Sequence, residues 1–452
     1  MTDQAQFPGM PEPETAVKDA VQGATRPIEA RVVAPVRNQV ELMPRDLDSL
    51  LPEDHQARTI WSFLERLDLS AFYASIKAVA TRPGRPASDP RVLLALWVYA
   101  TAEGVASARK LARLTAEHDA YRWLRGGVPV DYHLLAEFRV AHQAAVDELL
   151  TRILGAMLAE DLVTLHRVAQ DGVRVRAQAG AASFRGPTAL DQCLRAARDQ
   201  VEQLKMERDR PQPWTNRRQQ AARERAVRER TERIERAVAL LPQVEAAKGR
   251  ERRTLAAPRR ARVTEARVST TDPEARVMRM PDGGFRPALN VQLATDAGSQ
   301  VIVGVAISNR GTDQGEALPM EAQVVERTGQ PPQHYLMDGG FVKRSDITAL
   351  ELGGVEVYAP LRPPRTTTSG RESTTPRPDD SPEVQRWRQR MGTDEAKAIY
   401  RDRAATAECV NAQLRSRHAI HQFPVRGMDK ALTLMLLVAV THNLLRWISL
   451  SA

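Results

Sequence analysis

From residue 52 to about 162, apolar positions recur at three- and four-residue steps, as in Val92, Leu93, Leu96 and Val98. That is the spacing of helices with one buried side. Asp54 and Asp89-Pro90 mark helix starts, and Gly104 and Arg125-Gly126-Gly127 divide the stretch into several short helices. The period then changes. Residues 163–175 (Val-Thr-Leu-His-Arg-Val-Ala-Gln-Asp-Gly-Val-Arg-Val) are β-branched and partly alternating, which predicts a strand. From about 186 to 269 the chain is rich in Arg and Glu, with apolar steps at Leu194, Ala197, Val201 and Leu204 and again at Val227, Thr231, Ile234, Val238 and Leu241. Between the two runs lies Arg210-Pro211-Gln212-Pro213-Trp214, through which no helix continues. The pattern predicts a helical hairpin with a narrow apolar seam and charged flanks.

The β pattern returns near residue 276. A turn at Pro281-Asp282-Gly283-Gly284 precedes a strand at 285–294, and Asp296-Ala297-Gly298-Ser299 turns the chain into a second strand at 300–307. A helix is expected at 314–328, a strand at 334–337, a helix at 344–352 and a strand at 355–360. Residues 362–382 are rich in Pro, Thr and Ser and predict a flexible loop; helices follow to the end. Successive strands followed by alternating helices and strands predict an α/β fold with a mixed sheet, split by the helical insertion. The chain divides into a flexible leader (1–40), an all-α N-terminal domain (41–160) and an α/β domain (161–452) with its insertion at about 186–269.

The formal net charge of +9 favours a polyanionic partner, of which nucleic acid is the commonest, although an Arg-rich composition alone produces the same balance. Within the N-terminal helices Arg85, Arg91, Arg109, Lys110 and Arg122 join Arg82, Arg113 and Arg125 in a cationic face interleaved with Trp97, Tyr121 and Trp123. It suits double-stranded DNA; the plain alternative is a helical bundle with solvated arginines. Two cysteines, Cys193 and Cys409, exclude a disulfide framework and a Cys-based zinc site. Residues 1–14 are acidic and Pro-rich without the apolar core of a secretion signal. The most apolar run, 431–440, is about half the ~20 residues a spanning helix needs. It reads as a buried helix, and the expectation is a soluble, cytoplasmic protein.

Phosphoryl transfer by paired Mg²⁺ ions needs clustered carboxylates, because Mg²⁺ favours hard oxygen ligands. Asp171 lies in the first predicted strand, before Gly172. Asp338 ends a strand before Gly339-Gly340-Phe341, at the carboxyl edge where α/β sheets bind ligands. Glu408 lies in a late helix expected at 396–414. There Tyr400, Arg403, Glu408, Asn411 and Arg415 fall within an arc of roughly 140° at ~100° per residue. Each signal has a plainer reading: an Asp before Gly is usually a turn, and a Glu among arginines usually a surface ion pair. Of the other acids, Asp313 reads mainly as a helix cap, with support of the site as the alternative. Asp272, Asp282 and Asp296 read as structural, and His442 and Asn443 as anchors of core hydrogen bonds.

Together these motifs resemble the DDE-type transposases of bacterial insertion sequences, in the group with the Tyr-Arg-Glu-Lys signature. The resemblance covers most of residues 36–448. It rests on Gly84-Arg85-Pro86-Ala87-Ser88-Asp89-Pro90-Arg91, on Tyr121-Arg122-Trp123-Leu124 through Asp131-Tyr132-His133, and on Val268 through Arg276 with Gly284-Phe285 through Asn290-Val291-Gln292. Asp338-Gly339-Gly340-Phe341 is similar to the second-acid motif; Tyr400, Arg403, Glu408 and Arg415, then Arg426-Gly427 and His442-Asn443-Leu444, are similar to the third. The chain departs in having Arg415 where Lys is usual, and four rather than three residues between Arg403 and Glu408. The resemblance implies a ribonuclease-H-like catalytic domain with Asp171, Asp338 and Glu408 as catalytic ligands of two Mg²⁺ ions, Mn²⁺ being able to substitute. Tyr400, Arg403 and Arg415 then support the site or bind phosphate. It further implies cleavage and strand transfer at terminal inverted repeats, a homodimer on paired DNA ends, and a place on the bacterial nucleoid. The rival expectation is an inactive transposase-derived DNA-binding protein.

Overall fold

The computed structural model describes residues 46–74, 76, 86–208, 217–254, 264–361 and 374–451. The leader, Arg82, Arg85, the break at 210–214 and residues 362–373 of the predicted loop lie outside them. Residues 46–452 belong to one unit.

Among the described residues seven α-helices come first: α1 (Gln56–Arg66), α2 (Ser70–Tyr73), α3 (Pro90–Ala102), α4 (Ala108–Glu117), α5 (Asp119–Arg125), α6 (Tyr132–Ala141) and α7 (Gln143–Ala159). Local chemistry sets their ends. Asp89 accepts from the Arg91 N–H at 2.8 Å and Pro90 opens α3. Gly126 closes α5 with φ +56°, a conformation that costs other residues energy. From Val92 to Ala102 every residue of α3 is buried, and the Trp97 indole N–H is satisfied by the Leu135 carbonyl of α6 at 3.0 Å. Trp97 and Tyr121, expected on a cationic face, instead lie in the core at 1% and 2% exposure. Trp123 is half-buried, with the Arg58 guanidinium over its ring.

Six strands then form one mixed sheet: β1 (Arg167–Arg176), β4 (Arg276–Arg279), β5 (Phe285–Asp296), β6 (Ile302–Ser308), β7 (His334–Met337) and β8 (Glu356–Tyr358). β5 runs antiparallel to β1 along one edge and antiparallel to β6 and β4 along the other. β7 is parallel to β1, and β8 parallel to β7. With neighbours on both edges, β5 is buried continuously from Pro287 onward. Helices α10 (Ala317–Thr328) and α11 (Arg344–Leu352) connect the later strands, at and near their predicted positions.

Between β1 and β4 stand α8 (Pro187–Arg208) and α9 (Arg217–Thr254), joined at their base by the short pair β2 (Phe184–Arg185) and β3 (Val268–Ser269). This is the predicted hairpin, with Ala197, Leu204, Val227 and Ile234 buried along its seam. Ion pairs Arg198–Glu235 at 3.0 Å and Arg223–Glu207 at 3.1 Å cross between its helices.

The chain ends in α12 (Pro382–Gly392), α13 (Asp394–Arg403), a π turn (Ala404–Glu408), α14 (Cys409–Ser416) and α15 (Met428–Leu450). The single helix expected at 396–414 is therefore broken by the π turn. Helix α15 exceeds the predicted apolar run: its 23 residues are long and apolar enough to cross a membrane. Its apolarity has another use here, since residues 433–444 are all buried against α3, α7 and β6. Asn443 behaves as expected: its amide accepts from the Ile302 N–H and donates to the Ile302 carbonyl, both at 2.8 Å. One hydrophobic core runs from the N-terminal helices through the sheet to α15, so the helical region and the sheet are packed as one body.

Candidate active site

Asp171 sits inside β1, and Asp338 follows directly on β7. The register sets Gln170 beside Met337, so Asp171 in β1 and Asp338 just past the end of β7 take the next positions on the two chains. The Asp171 carboxylate is enclosed, with 19% of its side chain exposed. One oxygen accepts from the Gly172 N–H at 2.9 Å, the other from the Asn411 amide of α14 at 2.8 Å. Burial pushes its pKa up, outweighing the Gly172 N–H and the Arg403 charge, which pull it down; the negative charges of Asp338 and Asp313 add to the rise. Asp338 lies in the turn after β7, where its carboxylate accepts from the Gly340 N–H at 2.7 Å.

Arg403 ties the third acid to the first. Its guanidinium lies 3.9 Å from Asp171 and 3.3 Å from Glu408, and stands over the Tyr400 ring at 5.8 Å. Glu408 itself is 62% exposed. Arg403, Glu408 and Asn411 can serve one side because of the π turn. A π turn takes up one more residue than an α turn, so it absorbs the extra residue between Arg403 and Glu408. Arg415 is half-buried on α14 and, among the described residues, pairs with none of the three acids.

Asp313 is not a cap, which corrects the expectation. α10 begins after Glu316 without a side-chain cap, and the Asp313 carboxylate is spent elsewhere. Its Oδ1 accepts from the Asn290 amide at 2.7 Å and the Gln292 amide at 2.8 Å, both fully buried on β5. Two buried amides at alternate positions of an otherwise apolar strand were the sequence signal for this network. Asn411 carried no signal beyond its place on the helix arc.

The predicted DNA-binding cations are spread over several helices. Arg109 and Lys110 are exposed on α4, with Arg109 over the Tyr132 ring at 5.2 Å. Arg91 is half-buried at the start of α3, Arg122 is paired with Asp119 at 3.0 Å, and Arg85 lies outside the described residues.

The donor chemistry at Asp171 and Asp338 fits a hard divalent cation. Glycines keep the space beside these acids clear: a Cβ on Gly340 would lie 2.9 Å from Asp338 Oδ1. Among the described residues, however, no three His, Cys, Asp or Glu side chains stand close enough to hold a metal ion. Glu408, drawn to Arg403, is the acid that stands off.

Comparison with known proteins gives two matches to protein families. A transposase domain (DUF772) matches residues 45–141, and a transposase DDE domain matches residues 360–448. The first span contains Arg91, Arg109, Lys110 and Arg122; the second contains Tyr400, Arg403, Glu408 and Arg415. Curated proteins and solved structures give no match. Transposase domains imply DNA substrates, and a DDE domain implies a ribonuclease-H-like fold and the use of divalent metal. Lying towards opposite ends of one mixed helix-and-sheet chain, the two matches support a DDE-type transposase.

Proposed function

We propose that this chain cleaves DNA at the terminal inverted repeats of a bacterial insertion sequence and joins the freed 3′ ends to target DNA. The observation that supports this most is the placement of Asp171 in β1 next to the end of the parallel strand β7, which Asp338 follows, with Arg403 and Asn411 brought to Asp171 from the late helices. The strand order, β6–β5–β1–β7–β8 with β4 pairing the same edge of β5 as β6, supports a ribonuclease-H-like reading of the sheet.

In this reading Asp171, Asp338 and Glu408 would hold two Mg²⁺ ions, or Mn²⁺ in their place. Bound there, the metal would supply activation of the attacking oxygen and stabilisation of the leaving one. Asn411 orients the Asp171 carboxylate, and Arg403 ties Glu408 to it. Tyr400, stacked under Arg403, positions that guanidinium for a DNA phosphate, and Arg415 supplies a second cation on the same helical segment. No Ser or Tyr nucleophile is required. The helical region 41–160 reads the repeat through Arg85, Arg91, Arg109, Lys110 and Arg122, and the α/β region 161–452 carries the chemistry. A homodimer acts on paired ends, at the nucleoid in the cytoplasm.

The test is cleavage of a labelled duplex carrying the element's own end, in Mg²⁺ or Mn²⁺, by the native chain and by Asp171→Ala, Asp338→Ala and Glu408→Ala. Cleavage at the end is expected, lost in each variant while DNA binding persists. A native chain that binds and never cuts would favour the inactive DNA-binding reading.

A further inference from the structure

Side chains alternate across a strand, and the register sets Gly172 opposite Gln292 and Arg174 opposite Asn290. Asp313 therefore covers the face of the sheet that carries Gly172, whereas Asp171 points to the other face, toward Asn411. What lies between the two acids is only the backbone at Gly172. A Cβ there would overlap Asp313 Oδ1 and lie 2.7 Å from the Gln292 amide. A Cβ on Gly340 would lie 2.9 Å from Asp338 Oδ1 and 3.5 Å from Asp313 Oδ2. One point thus has an oxygen of Asp338 and an oxygen of Asp313 both within reach, with no side chain between them.

The two oxygens of Asp313 are used unequally. Oδ1 is saturated by two neutral amides, which orient the carboxylate without neutralising it. Oδ2 has only Arg174, at a long 3.5 Å. Asp313 has 11% of its side chain exposed, and this one long ion pair leaves Oδ2 able to take a second positive partner from the side of Asp338. A cation in the gap at Gly340 would be that partner.

We propose that Asp313 is a fourth carboxylate of the divalent-cation site, acting through the gap left by Gly172 and Gly340 and facing Asp338. The inference rests on the metal-dependent reading above and extends it to a residue on a different element. Its test is calorimetric titration of the metal-free full-length chain with Mn²⁺, alongside Asp171→Asn and Asp313→Asn, with thermal melts of each without metal. Asn at 313 keeps an oxygen for both amides and removes only the charge. Mn²⁺ binding by the native chain is expected, abolished in Asp171→Asn and weakened ~10–100-fold in Asp313→Asn, which should melt no lower than native. Native affinity in Asp313→Asn overturns the proposal and leaves the metal-dependent reading standing. An Asp313→Asn chain that melts lower or fails to fold also overturns it, because the charge is then structural. A native chain that binds no Mn²⁺ at millimolar concentration overturns both.

Discussion

His442 shows how one side chain couples packing to pH. It lies on α15 beneath the turn into β6, with Nε2 2.8 Å from the carbonyl of Gln300, whose φ of +58° the surrounding structure enforces. Burial, with His418, Arg446 and Arg417 nearby, pushes its pKa down to about 4, so the fold holds the neutral ring. Its stabilising contribution is full above the ordinary value near 6.5 and is lost as pH falls toward 4. A melting temperature that declines over that window is expected, and His442→Gln, which keeps a donor for the carbonyl, should flatten part of the decline in scanning calorimetry. An unchanged slope would show that His442 carries no share of it. His442 and Asn443 were legible as core anchors because polar residues in an apolar helix must find partners. Asp313 was read mainly as a helix cap, with support of the site only the alternative, since Asn290 and Gln292 act on it from another element.

The helices and strands follow closely from periodicity, and β7 and α11 begin and end where the pattern predicts them. The exception is the late helix. Its 3.6-residue period continues past residue 404, yet the backbone opens into a π turn at Ala404–Glu408. A chain with one residue too many between two packed segments bulges rather than rotating either out of contact. Deleting Ala405, which is exposed, should therefore close the bulge into an α turn and leave Asn411 on Asp171. The expected result is a folded chain with a near-native melting temperature by circular dichroism. Deleting Ala412 from α14, where no bulge can absorb the change, should unfold or strongly destabilise it. Equal damage from both deletions would mean that the π turn is not a reservoir for the extra residue.

At the scale of the molecule, the hairpin α8–α9 is built as an appendage. Leu190, Ala237 and Val244 form a small core with Ala266 and Val268, and none of the described hairpin residues enters the main core. Its ends meet at β2 and β3, where Arg185 pairs with Val268. Excising 187–266 and bridging the ends with a few Gly and Ser residues should leave a cooperative melt; loss of that transition would show that the sheet depends on the hairpin. The sequence by itself determined the elements, the hairpin and the order of the three acids, because helix and strand periods, Pro breaks and Asp-Gly turns are local properties of the chain. Tertiary structure alone decided which of these acids meet. Parallel pairing of β1 with β7 sets Asp171 beside Asp338 across 167 positions, and the missing side chain of Gly172 admits Asp313. Arg403 draws Glu408 aside, and the shared core joins the N-terminal helices to the sheet. Such contacts depend on strand register and packing between elements distant in sequence, which no local period encodes.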